Sequence, residues 1–201
     1  MEGDRRGAMQ HVTRLCVYCG SAAGLDHRYQ DAARELGEAL AKAGIELIFG
    51  GGRVGLMGVL ADAVLAGGGR VVGIIPQRLR DAELAHPGAG ELVIVGSMHE
   101  RKRVMAERAD AFAILPGGIG TLDETFEILT WRQLGLHDKP IFLVDVAGYW
   151  QPLRDLLDHI AAQGFTQSLV PRLLEIVPDV GELMRALVDI QPGGAPRSEL
   201  L

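Results

Sequence analysis

Three times along this 201-residue chain a short apolar run ends in a glycine-rich turn, and residues at helical spacing follow. Leu15-Cys16-Val17-Tyr18-Cys19 runs into Gly20-Ser21-Ala22-Ala23-Gly24. Residues 45–49 run into Gly50-Gly51-Gly52-Arg53-Val54-Gly55-Leu56-Met57-Gly58, and Ala111-Phe112-Ala113-Ile114-Leu115 into Pro116-Gly117-Gly118-Ile119-Gly120-Thr121. Runs of this kind, with Glu46 the one polar residue among them, read as strands buried on both faces. Such strands alternating with amphipathic helices require a parallel sheet covered on both sides. The 27 glycines explain themselves in that setting, because ligand-binding turns lie at the carboxyl ends of the strands.

The rest of the chain keeps this alternation. Tyr29, Ala32, Ala33, Leu36, Ala39 and Leu40 mark a first helix that stops at Gly44, and Leu60, Ala61, Val64 and Leu65 mark a second. Residues 71–75 form a third strand that halts at Pro76, and a loop holding Arg78, Arg80, Glu83, His86 and Pro87 follows. Short strands are expected at 92–95, 141–144 and 174–177, with helices over 98–109, from Thr125 onward, from Tyr149 to Ile160, and around Leu183 and Leu187. The polar, aperiodic ends read as tails. The expected organisation is one α/β domain over 14–190, a doubly wound, Rossmann-like parallel sheet with helices on both faces, between tails at 1–13 and 191–201.

Composition narrows the function. A formal charge of -6 argues against bulk nucleic-acid affinity, while leaving room for a small anion in a locally basic pocket. No signal peptide opens the chain and no apolar run reaches spanning length, so a cytoplasmic protein is expected, with no membrane partner. Cys16 and Cys19 sit within a strand, where residues three apart face opposite sides, so they read as two buried structural thiols and not as a redox pair. The histidines at 27, 86, 99, 137 and 159 have no metal-ligand spacing. A Gly-x-Ser-x-Gly elbow and a Gly-Lys-Ser/Thr phosphate loop are both missing.

The third turn carries the strongest chemical signal. Glycines let the backbone approach a ligand, the free amides of a helix start point at it, and the helix dipole favours negative charge. Glu124 adds a carboxylate beside that anion site. The competing reading is a Thr121–Glu124 capping box, in which the carboxylate only returns to a backbone amide; three glycines ahead of it favour the ligand. Gly50, Gly52 and Gly55 also spell the dinucleotide fingerprint G-x-G-x-x-G. However, the next strand ends Ile75-Pro76-Gln77-Arg78, without the acid that binds ribose hydroxyls. Arg78 keeps a phosphorylated ribose open there, and tight helix–strand packing is the alternative for Gly55 and Gly58. On a helix from Met98, the apolar stripe is Met98, Met105 and Ala109, flanked by Arg101 and Lys102, with Glu100 and Arg103 pointing away. Cations at the edge of a buried stripe need an anion, so Arg101 and Glu124 are expected to share one pocket.

Pro116-Gly117-Gly118-Ile119-Gly120-Thr121-Leu122-Asp123-Glu124 resembles the P-G-G-x-G-T-x-x-E motif of the Lonely Guy family, the cytokinin riboside 5'-monophosphate phosphoribohydrolases long labelled lysine decarboxylases. Met98-His99-Glu100-Arg101-Lys102 is similar to the family's M-H-x-R-K signature. Cys19-Gly20-Ser21, the Gly50–Gly58 turn and residues 130–140 are also similar, so the resemblance spans about Leu15 to Val188. Ile119 departs from a commonly aromatic position, and Asp123 stands for a second glutamate.

The resemblance implies hydrolysis of the N-glycosidic bond of an N6-modified adenosine 5'-monophosphate to free base and ribose 5-phosphate, with no cofactor or metal. It makes Arg101 and Glu124 the catalytic pair. Glu83, Lys102, Thr130 and the turn residues Gly117, Gly118, Ile119, Gly120 and Thr121, with Ser21 and Gly52, bind substrate. Arg101 is left between two roles, anchoring Glu124 or the ribose hydroxyls. It also implies a homodimer, with the Met98–Met105 helix as candidate interface, and base selectivity from the Glu83–Pro87 loop or a second subunit. The alternatives are a general nucleotide 5'-monophosphate nucleosidase and a non-catalytic nucleotide carrier on the same fold.

Overall fold

Each apolar run pairs with its neighbours in a single sheet. In the computed structural model, which describes residues 12–82, 85–166, 173–188 and 190, the strands are β1 (Arg14–Tyr18), β2 (Glu46–Phe49), β3 (Val71–Pro76), β4 (Glu91–Val95), β5 (Ala111–Ile114), β6 (Ile141–Val144) and β7 (Glu175–Val177). All pairings are parallel, in the order β4-β3-β2-β1-β5-β6-β7. The chain builds outward from β1 to β4, then crosses back so that β5 lies on the other side of β1. That reversal opens a crevice beyond the carboxyl ends of β1 and β5, the usual ligand position in such sheets. The turns at Gly20 and Pro116 therefore face each other, and Gly20 N donates to Pro116 O at 3.0 Å.

The helices are α1 (His27–Ala43), α2 (Gly55–Ala66), α3 (Gln77–Asp81), α4 (Met98–Arg108), α5 (Ile119–Gln133), α6 (Gln151–Ala162) and α7 (Val180–Val188). One core lies between the sheet and α1, α2 and α7; a second lies between the opposite face and α4, α5 and α6. β3, β5 and β6 are buried along their whole length because both faces are covered. Cys16 belongs to one core and Cys19 to the other, both as free thiols, and burial pushes both well up from their ordinary value. Strand alternation thus places them on opposite faces, as expected.

Local chemistry sets the helix ends. Asp26 accepts from Arg28 N at 2.9 Å to start α1, and Gly44, at φ 69°, ends it in the left-handed conformation. Several expectations need correction. The segment after Pro76 is not all loop: α3 forms there, with Gln77 Nε2 donating to Asp81 one turn on. α2 begins at Gly55, inside what the glycine pattern marked as turn. Thr13 belongs to the fold and not to a tail, since its amide and hydroxyl donate to Asp110 at 3.0 and 2.8 Å. Residues 1–11 and 191–201, expected as tails, lie outside the described residues. Met105 is fully buried in the second core, so it offers nothing to an outer face, whereas Met98 is exposed.

Candidate active site

α5 starts three residues earlier than a Thr121 cap allows. Gly118 is its N-cap and Ile119 its first residue, with no side chain on the cap. Thr121 is therefore inside the first turn, packed against Gly117, and Glu124 lies a turn further on, pointing inward. The capping-box reading fails on this geometry, which leaves the Glu124 carboxylate free for other work. The capping arrangement occurs instead at α4, where the sequence reading missed it. Ser97 Oγ accepts from Glu100 N at 3.1 Å, and Glu100 Oε2 accepts from Gly96 N at 2.7 Å. It fixes the entry of α4 and so the azimuth of Arg101.

Arg101 and Glu124 come together from α4 and α5. Nη2 of Arg101 is 3.5 Å from Oε1 of Glu124, and the two residues are 8% and 7% exposed. Arg101 Nε donates to Ile74 O at 3.2 Å, so the guanidinium is tied to the end of β3 as well as to the acid. Its bed is Gly50, where any β-carbon would overlap the guanidinium. Burial pushes the Glu124 carboxyl up to about 7, against the pull of Arg101 and Lys102 and with the help of Asp123 and Glu127. This carboxyl can hold or release a proton near neutral pH.

The pair opens onto a cleft of about 190 Å³ walled by Tyr18, Ser21, Met57, Met98 and the Gly118–Thr121 turn. Gly118 and Gly120 have no packing neighbour within 4 Å of where a β-carbon would stand, and Ile119 turns its side chain to solvent at 82% exposure. The first turn of a fifteen-residue helix thus presents bare backbone to the cleft. A second hollow, between Tyr29, Leu56, Pro116 and Tyr149, meets the cleft at Ser21 and Gly118.

The remaining residues named from sequence divide. Ser21, Gly118, Ile119, Gly120 and Thr121 line the cleft; Gly117 lines only the adjoining hollow. Lys102 does not line it: its Nζ donates to Asp123 at 3.0 Å and reaches Glu127 at 3.2 Å, clamping α4 to α5. Gly52 is also outside the lining, because its backbone pairs with Ala85 in an antiparallel bridge that straps the following loop down. Thr130 is exposed on α5 and spends its hydroxyl on Phe126 O at 2.7 Å. Glu83 lies outside the described residues. Tyr18 and Tyr149 had no sequence signal beyond an apolar pattern, and Met57 only its place in the second glycine turn; the fold brings them to the crevice.

Known proteins match this sequence and fold. The family model described as possible lysine decarboxylase covers residues 57–187. The probable cytokinin riboside 5'-monophosphate phosphoribohydrolase LOGL1 of Oryza sativa subsp. japonica is 48% identical over 174 residues, 87% of this chain and 78% of that protein. The cytokinin riboside 5'-monophosphate phosphoribohydrolase LOG1 of Arabidopsis thaliana is 44% identical over 179 residues, 89% of this chain and 84% of that one. Among solved structures, TM1055 superposes with a TM-score of 0.68 at 27% identity, covering 89% of this chain and 99% of its own. The molybdenum cofactor carrier protein of Chlamydomonas reinhardtii has a TM-score of 0.67 at 20% identity over 87% and 94% of the two chains, a likeness of fold alone. The site and fold define a Rossmann-like α/β protein with an acid–arginine pair at an anion-ready helix start. The chain belongs to the possible lysine decarboxylase family, in its Lonely Guy branch of phosphoribohydrolases.

Proposed function

We propose that this chain hydrolyses the N-glycosidic bond of a nucleoside 5'-monophosphate, N6-modified adenosine 5'-monophosphate foremost, releasing free base and ribose 5-phosphate. The observation that carries the reading is Glu124, a buried carboxyl 3.5 Å from Arg101 and next to a bare glycine turn at a helix start. The 5'-phosphate sits on the amides of the Gly118–Thr121 turn, where the helix dipole favours it. Binding energy spent there, remote from the reacting bond, holds the sugar over Glu124.

As the C1'–N bond lengthens, its electron pair leaves with the base and C1' turns cationic. The Glu124 carboxylate stabilises that charge, directs a water oxygen at C1' and takes the water's proton. The departing base nitrogen takes a proton from solvent and Glu124 gives the water's proton back to solvent, so that one water is added across the C1'–N bond. Arg101, held by Ile74 O, orients the acid and keeps its ionised form accessible despite burial. The methionines in the cleft wall, Met57 and Met98, give an adaptable apolar surface for the base. A homodimer in the cytoplasm is the state we assign to it. Exposed Met98, Ile119, Leu134 and Leu136 on and just beyond α4 and α5 supply apolar surface for the contact.

The test is incubation of pure protein with AMP, an N6-isopentenylated AMP and CMP, followed by chromatography for free base. Base release favouring the isopentenylated nucleotide is expected. Equal release from all three makes it a general nucleotide nucleosidase, and tight binding without release makes it a carrier.

A further inference from the structure

Tyr149 reaches the phosphate turn from a distant part of the chain. Its hydroxyl donates to Gly117 O at 2.6 Å, across 32 residues of sequence. It is delivered by a strained turn, residues Val146–Gly148, at the end of β6. Ala147 has φ 56°, the only positive φ at a non-glycine among the described residues, and Gly148 follows at φ 73°. Such strain persists only where the surroundings impose it, and it gathers at functional sites. Here the surroundings are explicit. Asp145 Oδ1 accepts from Trp150 N at 2.7 Å, and the Tyr149 ring stands edge-on to Tyr29 and Trp150 at 5.3 and 4.7 Å between centroids.

The bond acts on the peptide that matters most to an anion. A trans peptide puts its carbonyl and its amide on opposite sides, so a Gly117 carbonyl held towards Tyr149 turns the Gly118 N–H the other way. Tyr149 belongs to the hollow between Tyr29 and Pro116, whereas Gly118 also lines the cleft. The amide is thereby turned away from Tyr149, on a residue that also lines the cleft. With glycine on both sides of this peptide, no β-carbon resists its rotation, and the flipped form would present a carbonyl oxygen to an incoming phosphate. We propose that Tyr149 is a positioning residue that locks the Gly117–Gly118 peptide with its N–H aimed at the 5'-phosphate. This inference rests on the nucleotide reading above for the identity of the anion.

The test is Tyr149→Phe, which removes one oxygen and keeps the ring contacts. KM for AMP should rise about tenfold with kcat within about twofold, the cost of one charge-assisted hydrogen bond. Binding of ribose 5-phosphate, read by calorimetry, should weaken by a similar factor, while any cleavage of adenosine, which has no phosphate, should be unchanged. Equal losses on AMP and adenosine, or unchanged ribose 5-phosphate binding, would overturn the proposal. If the variant does not fold, 15N-labelled wild-type protein gives the answer: the Gly118 amide resonance must move when ribose 5-phosphate is added, and a static resonance refutes the lock. A protein that binds ribose 5-phosphate in this way but releases no base would lose the hydrolase reading and keep this one.

Discussion

The second and third glycine turns look alike as sequence and do opposite things. Around Gly50, Gly55 and Gly58 the missing side chains are spoken for by the protein itself. The Arg101 guanidinium fills the space at Gly50, the Ser21–Ala22 backbone crosses at Gly55, and the Arg53 backbone presses on Gly58. Gly55 also has φ 63°, which strains any other residue. At Gly118 and Gly120 no packing neighbour comes within 4 Å of where a β-carbon would stand, and neither glycine has positive φ. Packing explains the first set and cannot explain the second. The comparison teaches that a fingerprint such as G-x-G-x-x-G states only where backbone must come close to something. The fold decides whether that something is a neighbour or a ligand.

The contrast can be broken by substitution. The largest effect belongs to Glu124→Gln, beside the open turn: turnover of AMP should fall about 1,000-fold or more, with the melting temperature held or raised. Near-normal base release from that variant would remove Glu124 from the chemistry. Next is Gly55→Ala, in the filled turn, which should cost about 3 kcal/mol or more of stability from overlap and backbone strain; a denaturant midpoint equal to wild type would refute the packing assignment.

A third prediction concerns pH. The Glu124 carboxyl, raised from 4.5 to about 7 by burial, is protonated in the folded state where the unfolded chain has already lost its proton. Its contribution is complete below about pH 4.5 and is lost as pH rises towards 7, on the order of 3 kcal/mol. Glu124→Gln should flatten that slope in urea titrations; a parallel slope would contradict the shift. AMP cleavage, needing the carboxylate, should rise through the same window, in the opposite sense to stability.

The smallest and sharpest effect is Gly120→Ala. Replacing a glycine in the first turn of α5 should stabilise the fold by up to about 1 kcal/mol, while KM for AMP rises about tenfold as the methyl group meets the phosphate. A more stable protein with unchanged KM would mean that the open turn faces no ligand.

Much of this was legible in the sequence, and the limit falls at long-range contact. The strands at 71–75 and 141–144 and the α1 stop at Gly44 follow from local apolar pattern and turn chemistry, which short segments carry by themselves. Joining Arg101 to Glu124 needed only the rule that a buried cation seeks an acid. By contrast, α3 depends on a Gln77–Asp81 side-chain bond in an otherwise polar stretch, and the pattern of that stretch reads equally as loop. α5 begins at Ile119, six residues before the expected Thr125, because Gly118 starts the helix without any side-chain signal. Lys102 was assigned to substrate from its place in a motif, yet Asp123 and Glu127 both claim its ammonium. Tyr149 carries no motif at all; only the crossing of β6 beyond β5 brings it to Gly117.

The most direct measurement is a single-turnover experiment in which Glu124→Gln and wild-type protein, each saturated with AMP, are followed for free adenine and ribose 5-phosphate. Both should bind AMP with similar affinity, and only wild type should release the two products, in equal amounts. Equal product release by the two proteins, or loss of AMP binding in the variant, would contradict a carboxylate that acts on the sugar while the glycine turn holds the phosphate.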